Sequence, residues 1–261
     1  MKHIAVMLRV KNEQEYIYQA IKSLDGCVDS ITLIDNQSSD NSILLAKNAA
    51  KDINVPIKVI SYPYEIMKVG SENYALFKKN PTSPKLLSNF YNFSLENTIG
   101  DYILKWDGDM IATSLFKVKI LQFKKSKFKE ILSFRGFNLY DSNHLLDYDE
   151  KKFQSFVSKN KSFDYKNFIE NWLSSTTTFE QRLFPKKNAY YDNGFWWCER
   201  LVIKRSRIVK YLFTIKPKEP LYWHMKLLKK NRFSNMSAEY LELFKSCVKK
   251  RKIDTDEPYN R

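Results

Sequence analysis

Two aspartates, Asp107 and Asp109, flank Gly108 directly after an apolar run, Tyr102-Ile103-Leu104-Lys105-Trp106. In a strand, positions i and i+2 point to the same side, so the two carboxylates are expected to project together. The intervening glycine lets the chain turn and lets a ligand approach closely. Two hard oxygen donors on one side suit Mg²⁺ or Mn²⁺, with substrate phosphates completing the coordination shell. The carboxyl end of a parallel strand is also where open α/β sheets place ligands. Asp-Gly is equally a common turn dipeptide, and as a bare triplet it reads as a surface turn. Its place at the end of an apolar strand reverses that preference.

Other side chains could join such a site. Asp35 closes a second apolar run, where a carboxylate can accept hydrogen bonds from a ribose or a base N–H. It could instead serve the following turn, although Ser39 and Asp40 are better placed as helix caps. His224, in Tyr222-Trp223-His224-Met225-Lys226, could give a neutral imidazole to a metal, or pack as a structural histidine between aromatic rings. Deprotonating a hydroxyl needs a carboxylate within hydrogen-bond reach, and the candidates are Asp141, Asp192 and Glu199. Glu199 follows Phe195-Trp196-Trp197-Cys198, whose rings could stack on a sugar or fill a core. Pairing with Arg200 or Arg205 is the structural alternative for Glu199.

The elements that must hold these residues follow from periodicity. Residues 4–8 form a short continuous apolar run, as expected of a strand covered on both faces. Asn12, three residues before Glu15, has capping-box spacing, and Ile17, Ala20, Ile21 and Leu24 continue at helical spacing. A strand over 30–34 ends in a polar turn, and a helix begins near Ser39 or Asp40. A third strand covers 57–60. An irregular connection with Pro81 and Pro84 spans 71–85, followed by a helix over 86–98 and the strand over 102–106. Residues 115–123 read as helix, 131–137 and 200–203 as strands, and 238–249 as an amphipathic helix. The stretch 141–187 has no clear period and reads as an inserted lobe, and the charged tail from Lys250 as frayed. Strand, turn and helix in alternation imply an α/β fold with a mostly parallel sheet.

Composition bounds the function classes. Apolar residues make up 43% of 261, enough for a large core and unlike a disordered chain. No run of about 18 apolar residues suggests a transmembrane helix. The opening residues have too short an apolar stretch and no small-residue cleavage site for a signal peptide. Cys27, Cys198 and Cys247 form no CxxC pair, which argues against a disulfide framework or zinc site and fits a reducing cytoplasm. The formal net charge of +15 would attract nucleic acid, an anionic membrane surface or a phosphorylated substrate, or simply coat a solvated surface. Lysines concentrate in 116–129 and 226–252, which keeps a membrane-facing or acceptor-facing patch open. No helix-turn-helix, RRM or zinc pattern accompanies the charge, so nucleic acid is not the expected partner.

Two blocks together resemble family 2 glycosyltransferases with the GT-A fold. The first runs from Arg9-Val10-Lys11-Asn12-Glu13 to Ile34-Asp35-Asn36-Gln37-Ser38-Ser39-Asp40. The second is Asn92-Phe93-Ser94-Leu95 followed by Gly100-Asp101 and the strand ending in Asp107-Gly108-Asp109. The resemblance covers about residues 3–112. It implies a Rossmann-like, mostly parallel sheet with flanking helices and an irregular acceptor-side insertion. Residues 1–140 would form the nucleotide-sugar half, 141–237 the acceptor half of the same domain, and 238–261 a C-terminal helix and basic tail. A nucleotide-diphosphate sugar, a UDP-sugar first, would bind across the carboxyl edge with Mn²⁺ or Mg²⁺. Arg9, Glu13, Asp35 and Asp107 would line the nucleotide, and Asp107, Asp109 and His224 would hold the metal. Glu199 or Asp192 would act as base toward a glycan or glycolipid hydroxyl, with inversion at the anomeric carbon. Asn36 stands where many members carry a second aspartate, and Cys198-Glu199-Arg200 is the nearest approach to their acidic pair. No QxxRW-like sequence of processive synthases is present. The resemblance therefore implies a cytoplasmic enzyme adding one or few sugars, with contact at the inner membrane face left open. A sugar nucleotidyltransferase would need glycines in the turn after the first strand, and residues 9–13 contain none. A basic nucleic-acid-binding protein and a catalytically silent glycosyltransferase-like protein are the alternatives.

Overall fold

The computed structural model describes residues 1–67, 79–141, 144–149, 179–192, 199–230 and 238–252, together with Lys151, Lys152, Ser155 and Ser158. Four strands form the parallel half of a seven-stranded sheet: β1 (Ile4–Val10), β2 (Ser30–Asp35), β3 (Ile57–Ser61) and β4 (Tyr102–Asp107), ordered β3-β2-β1-β4. Every β1 residue except Arg9 is buried, which is why this strand reads as one apolar run rather than an alternation. Beyond β4 lie β9 (Glu180–Pro185), β6 (Ile131–Phe134) and the edge strand β12 (Thr214–Ile215). Only β9 runs against the common direction, pairing antiparallel with both β4 and β6. The α/β class and mostly parallel sheet expected from the sequence are thus present.

Helices cover both faces. Ile4, Val6, Leu8, Leu104 and Trp106 pack with side chains of α1 (Ile17–Lys22), α2 (Ser42–Asp52) and α4 (Ser114–Lys125). On the opposite face Ala5, Met7 and Ile103 meet Phe90, Tyr91 and Leu95 of α3 (Leu87–Asn97). Alternation then places Arg9, Lys105 and Asp107 on this second face. The face is therefore apolar at its base and charged at its carboxyl edge.

A second sheet of five strands crosses that edge. It joins β5 (Met110–Ala112), β7 (Phe137–Asp141), β8 (His144–Tyr148), β13 (Tyr222–His224) and β14 (Val248–Lys252), in the order β14-β8-β7-β13-β5. A small antiparallel hairpin pairs β10 (Ala189–Asp192) with β11 (Arg200–Ile203). Two further helices are α5 (Arg207–Phe213) and α6 (Ala238–Cys247). No helix among the described residues is long and apolar enough to cross a membrane. Cys27 and Cys247 are buried and free, while Cys198 lies outside the described residues.

Several local expectations give way to tertiary contacts. No capping box forms at Asn12: α1 starts later, at Ile17, without a side-chain cap. Asn12 instead adopts a left-handed φ of 56° and its side-chain Oδ1 accepts from the Ser39 N–H at 2.8 Å. The next helix begins at Ser42, and Asp40 accepts from the Ser42 N–H at 3.0 Å. Residues 131–137 are not one strand, because the chain changes sheets at Arg135-Gly136. A Cβ on Gly136 would lie 2.3 Å from the Tyr222 ring, so glycine is required at that crossing. The stretch read as an inserted lobe contains β9, a member of the central sheet. Residues 248–252, read partly as helix and partly as frayed tail, form β14, paired with β8. The rest of the expected tail, and residues 68–78 of the irregular connection, lie outside the described residues.

Candidate active site

Strand register assembles the site. Arg9 pairs with Asp107 across β1 and β4, and Val10 pairs with Asp35 across β1 and β2. Three neighbouring parallel strands therefore end together in Arg9, Asp35 and Asp107. The turns after β1 and β2 are laced to each other. Glu13 N–H donates to Ser42 Oγ at 2.7 Å, Gln14 N–H to Asp40 at 3.1 Å, and Asn12 N–H to Ser38 Oγ at 3.0 Å. Asn36 donates to the carbonyls of Tyr62 and Tyr64, fastening the turn to the end of β3. Backbone donors and acceptors of an edge exposed by its own turns are met in this way.

Asp107 and Asp109 do not share one strand. β4 ends at Asp107, a turn holds Gly108 and Asp109, and β5 begins at Met110 in the other sheet. The two carboxylates consequently meet different cations. Asp107 accepts from Arg9 at 2.8 Å and from Arg182 of β9 at 3.1 Å. Burial opposes its ionisation, yet Arg182 and Arg9 hold its carboxyl well below the usual carboxylate range. Arg182 also pairs with Glu180 at 2.5 Å, and Lys105 bonds Glu180 and lies 3.5 Å from Glu199. The Arg9 guanidinium stacks on the Tyr91 ring at 3.5 Å. Asn92 clamps both backbone sides of Tyr191, fixing α3 against β10.

Asp109 faces the second half of the chain. The antiparallel register pairs His224 with Met110, and Met225 N–H donates to the Asp109 carbonyl at 2.8 Å. His224 Nε2 thus comes to 3.5 Å from Asp109 Oδ1, while its Nδ1 lies 2.9 Å from the Asn138 side-chain oxygen. Lys229 lies 2.7 Å from Asp109 and 2.7 Å from Glu13, bridging the two carboxylates. Burial would lower the Lys229 ammonium, but Asp109 and Glu13 hold it above the usual lysine range. Burial, reinforced by the charge of Asp109, pushes Glu13 up to about 7. A Cβ on Gly108 would lie 2.9 Å from the Glu13 side chain. The space over this glycine is filled by Glu13, not left open for a ligand as the sequence suggested.

The remaining candidates separate. Asp35 is buried and accepts from the Ser38 N–H at 3.2 Å, and strand alternation puts it on the face of Ile31 and Leu33, opposite Arg9. Asp192 pairs with Arg200 at 2.7 Å, closing the β10–β11 hairpin. Arg205 pairs with Glu130 at 3.0 Å. Asp141 contacts His144 and Lys250 in the second sheet. Phe195, Trp196 and Trp197 lie outside the described residues. Sequence reasoning overlooked Lys105, Glu180, Arg182 and Lys229. The alternation Glu180-Gln181-Arg182 before Leu183-Phe184-Pro185 was the available signal for a strand with a charged end.

The chemistry of the donor set bears on a divalent metal. Among the described residues no three His, Cys, Asp or Glu side chains converge as a metal cage. Both Asp107 oxygens are taken by guanidinium groups. Asp109 and His224 remain as a hard oxygen and an imidazole nitrogen on neighbouring chain segments. Such a pair fits a cation that takes its other ligands from a bound diphosphate and water. Lys229 also sets a positive charge between Glu13 and Asp109.

No protein-family model matches the chain. A curated relative, the small ribosomal subunit protein uS3m of Prototheca wickerhamii, is 26% identical over 188 residues, covering 70% of this chain and 33% of its own length. The chain thus spans about a third of that relative. Solved structures of similar fold include S. aureus TarS 1–349 in complex with UDP-GlcNAc. That likeness has 11% identity over 94% of this chain and 64% of TarS, with a TM-score of 0.48. Glucosyl-3-phosphoglycerate synthase from Mycobacterium tuberculosis, in complex with phosphoglyceric acid, is similar at 15% identity over 94% of this chain and 80% of its own, with a TM-score of 0.47.

Proposed function

We propose that this chain transfers a glycosyl group from a nucleoside-diphosphate sugar, a UDP-sugar first, to a hydroxyl of a glycan or glycolipid. One observation carries the reading: Glu13, Asp109, His224 and Lys229 meet at the carboxyl edge of the parallel sheet, beside Arg9 and Asp107. Ligands of open α/β sheets bind at such an edge. In this reading Asp35 receives the ribose or base and Glu13 lines the nucleotide, while Arg9, on the opposite face of the sheet, anchors Asp107. Asp109 and His224 would hold Mn²⁺ or Mg²⁺, which when bound offsets charge on the leaving diphosphate. Lys229 would offer its ammonium group to the same diphosphate oxygens. Asp107 sets the arginine pair and does not need to touch the metal.

Glu199 is the better base of the two proposed carboxylates. It lies within the charged cluster through Lys105, whereas Asp192 is committed to Arg200. Its carboxylate would take the acceptor proton as the acceptor oxygen bonds the anomeric carbon. The bond from that carbon to the diphosphate oxygen breaks, and its electron pair leaves with the nucleotide. In-line displacement of this kind inverts the anomeric centre.

Melting temperature in the presence of UDP, GDP or CMP, with and without Mn²⁺ or Mg²⁺, tests the reading. One diphosphate should raise the transition by several degrees only when metal is present. No shift with any nucleotide, together with salt-dependent binding of duplex DNA or RNA, would overturn it. That outcome belongs to a basic nucleic-acid-binding protein, the reading favoured by the +15 charge alone. Donor binding without turnover would identify a catalytically silent relative.

A further inference from the structure

We propose that α5 and the loop before β6 form a docking surface for an anionic membrane. The seven residues of α5 bury none of their side chains. Ile208, Tyr211 and Leu212 fall at i, i+3 and i+4, on one helix face, and are 73%, 81% and 57% exposed. Phe128, 74% exposed, projects from the adjacent loop between Lys127 and Lys129. Four large apolar side chains on one surface exceed the scattered exposure of an ordinary protein exterior.

The patch is held rigidly. Lys129 Nζ donates to the Leu212 carbonyl at 2.7 Å, and Glu130 N–H to the Phe213 carbonyl at 2.9 Å. Thr214 and Ile215 then pair with Ile131 and Leu132 as the edge strand of the central sheet. The loop and the helix are thereby fixed side by side on the scaffold that carries the candidate active site. Between them lies a cleft of about 590 Å³ lined by Lys129, Arg207, Lys210, Tyr211, Leu212 and Lys216, without an acidic residue.

Charge complementarity selects the occupant. A face of protruding aliphatic and aromatic groups rimmed by lysine and arginine matches the boundary between lipid chains and anionic headgroups. Protein interfaces deplete lysine at their centres, and a polyanion such as RNA gains nothing from exposed Ile208 and Leu212. Tyr211 is the aromatic type enriched at membrane–water boundaries. Phe128 and Lys129, at the end of the lysine-rich stretch 116–129 seen in the sequence, supply one side of this surface, and α5 supplies the other. The inference stands independently of the proposed reaction.

Cosedimentation of the full chain with phosphatidylcholine vesicles, with and without phosphatidylglycerol, tests it. Binding is expected only to the phosphatidylglycerol vesicles. The triple variant Ile208→Ser, Tyr211→Ser, Leu212→Ser should lower that binding by roughly tenfold, because apolar insertion is lost while the positive field remains. The pair Arg207→Glu, Lys210→Glu should lower it at least as far, by reversing two of the charges at the surface. Melting curves of both variants show whether the fold is retained. Vesicle binding that survives the triple variant in a folded protein would overturn the proposal. So would failure of the wild type to bind either vesicle, or a change from dimer to monomer in sedimentation as the variant's only effect.

Discussion

The molecule reverses the usual distribution of side chains in two places, and the two reversals differ in kind. At the carboxyl edge of the sheet, charged groups are drawn inside: Arg9, Lys105, Asp109 and Arg182 are all at most 9% exposed at their side chains. On α5 the opposite happens, and apolar groups stand in solvent. The buried charges are matched nearly one for one, each carboxylate facing a guanidinium, an ammonium or an imidazole. Desolvated charge is tolerated only under that condition. Among the described residues nothing covers the exposed apolar groups of α5. The first region is thus balanced by its own ion pairs, whereas the second leaves apolar surface uncovered by the described residues.

The largest effect should come from disturbing the ligand-receiving charge. Asp109→Asn keeps the size of the side chain and removes one of the two proposed metal donors. Turnover of sugar donor should fall on the order of 10³-fold, about 4 kcal/mol of barrier. Retained turnover would move the metal role elsewhere. The melting temperature should also fall by a few degrees, because the buried Asp109–Lys229 pair loses its charge while Lys229 keeps Glu13 as a partner at 2.7 Å.

Next comes the internal balance itself. Arg182→Met leaves Asp107 with Arg9 alone and Glu180 with Lys105 alone. Breaking a buried pair costs roughly 3–5 kcal/mol, and partial exposure of both carboxylates lowers this to roughly 2–4 kcal/mol. Urea denaturation should show that loss. An unchanged midpoint would mean that solvent already screens the cluster.

These two substitutions also mark how much of the site was legible in the sequence. Asp109 announced itself, because a strand running into Asp-Gly-Asp is a local pattern. Arg182 did not, since its partner Asp107 lies 75 residues away and β9 reaches the sheet antiparallel, against the rhythm of the first half. The strands around Ile4, Ser30 and Tyr102 were readable because burial on both faces keeps them mostly apolar, and the half-buried strand at Ile57 because it follows Pro56 with an apolar majority. β12, with two residues, and β14, built from Val248-Lys249-Lys250-Arg251-Lys252, carry no such signature. Their pairing is decided by non-local hydrogen bonding. Asn12 shows the limit in the other direction: its capping-box spacing yields no cap, because its side-chain oxygen accepts from the Ser39 N–H instead.

A smaller, pH-dependent effect distinguishes tuning from simple burial. The Glu13 carboxyl, pushed to about 7 from an ordinary 4.5, binds a proton in the folded chain where the unfolded chain has released it. Stability therefore falls as pH rises from about 4.5 to 7 and is level above, as far as this group contributes. The fall should be on the order of 2 kcal/mol across that window. Glu13→Gln removes it, so the wild type should lose more stability than the variant between pH 5 and pH 8. Equal losses would show that Lys229 keeps Glu13 ionised throughout.

The smallest expected effect is the most diagnostic for α5. Ile208→Ser would be costly if this residue packed into a core, because deleting a buried aliphatic side chain removes contacts and leaves a cavity. At 73% exposure it has little to lose, and a surface change of this kind falls within about 0.5 kcal/mol. For a chain of this size the melting temperature should then stay within roughly 1–2 °C of wild type. A drop of several degrees would mean that another part of the chain covers α5, and the contrast with the carboxyl edge would collapse. Within those limits, any loss of vesicle binding in Ile208→Ser reports on the surface itself, because the fold that presents Tyr211 and Leu212 beside it is unchanged.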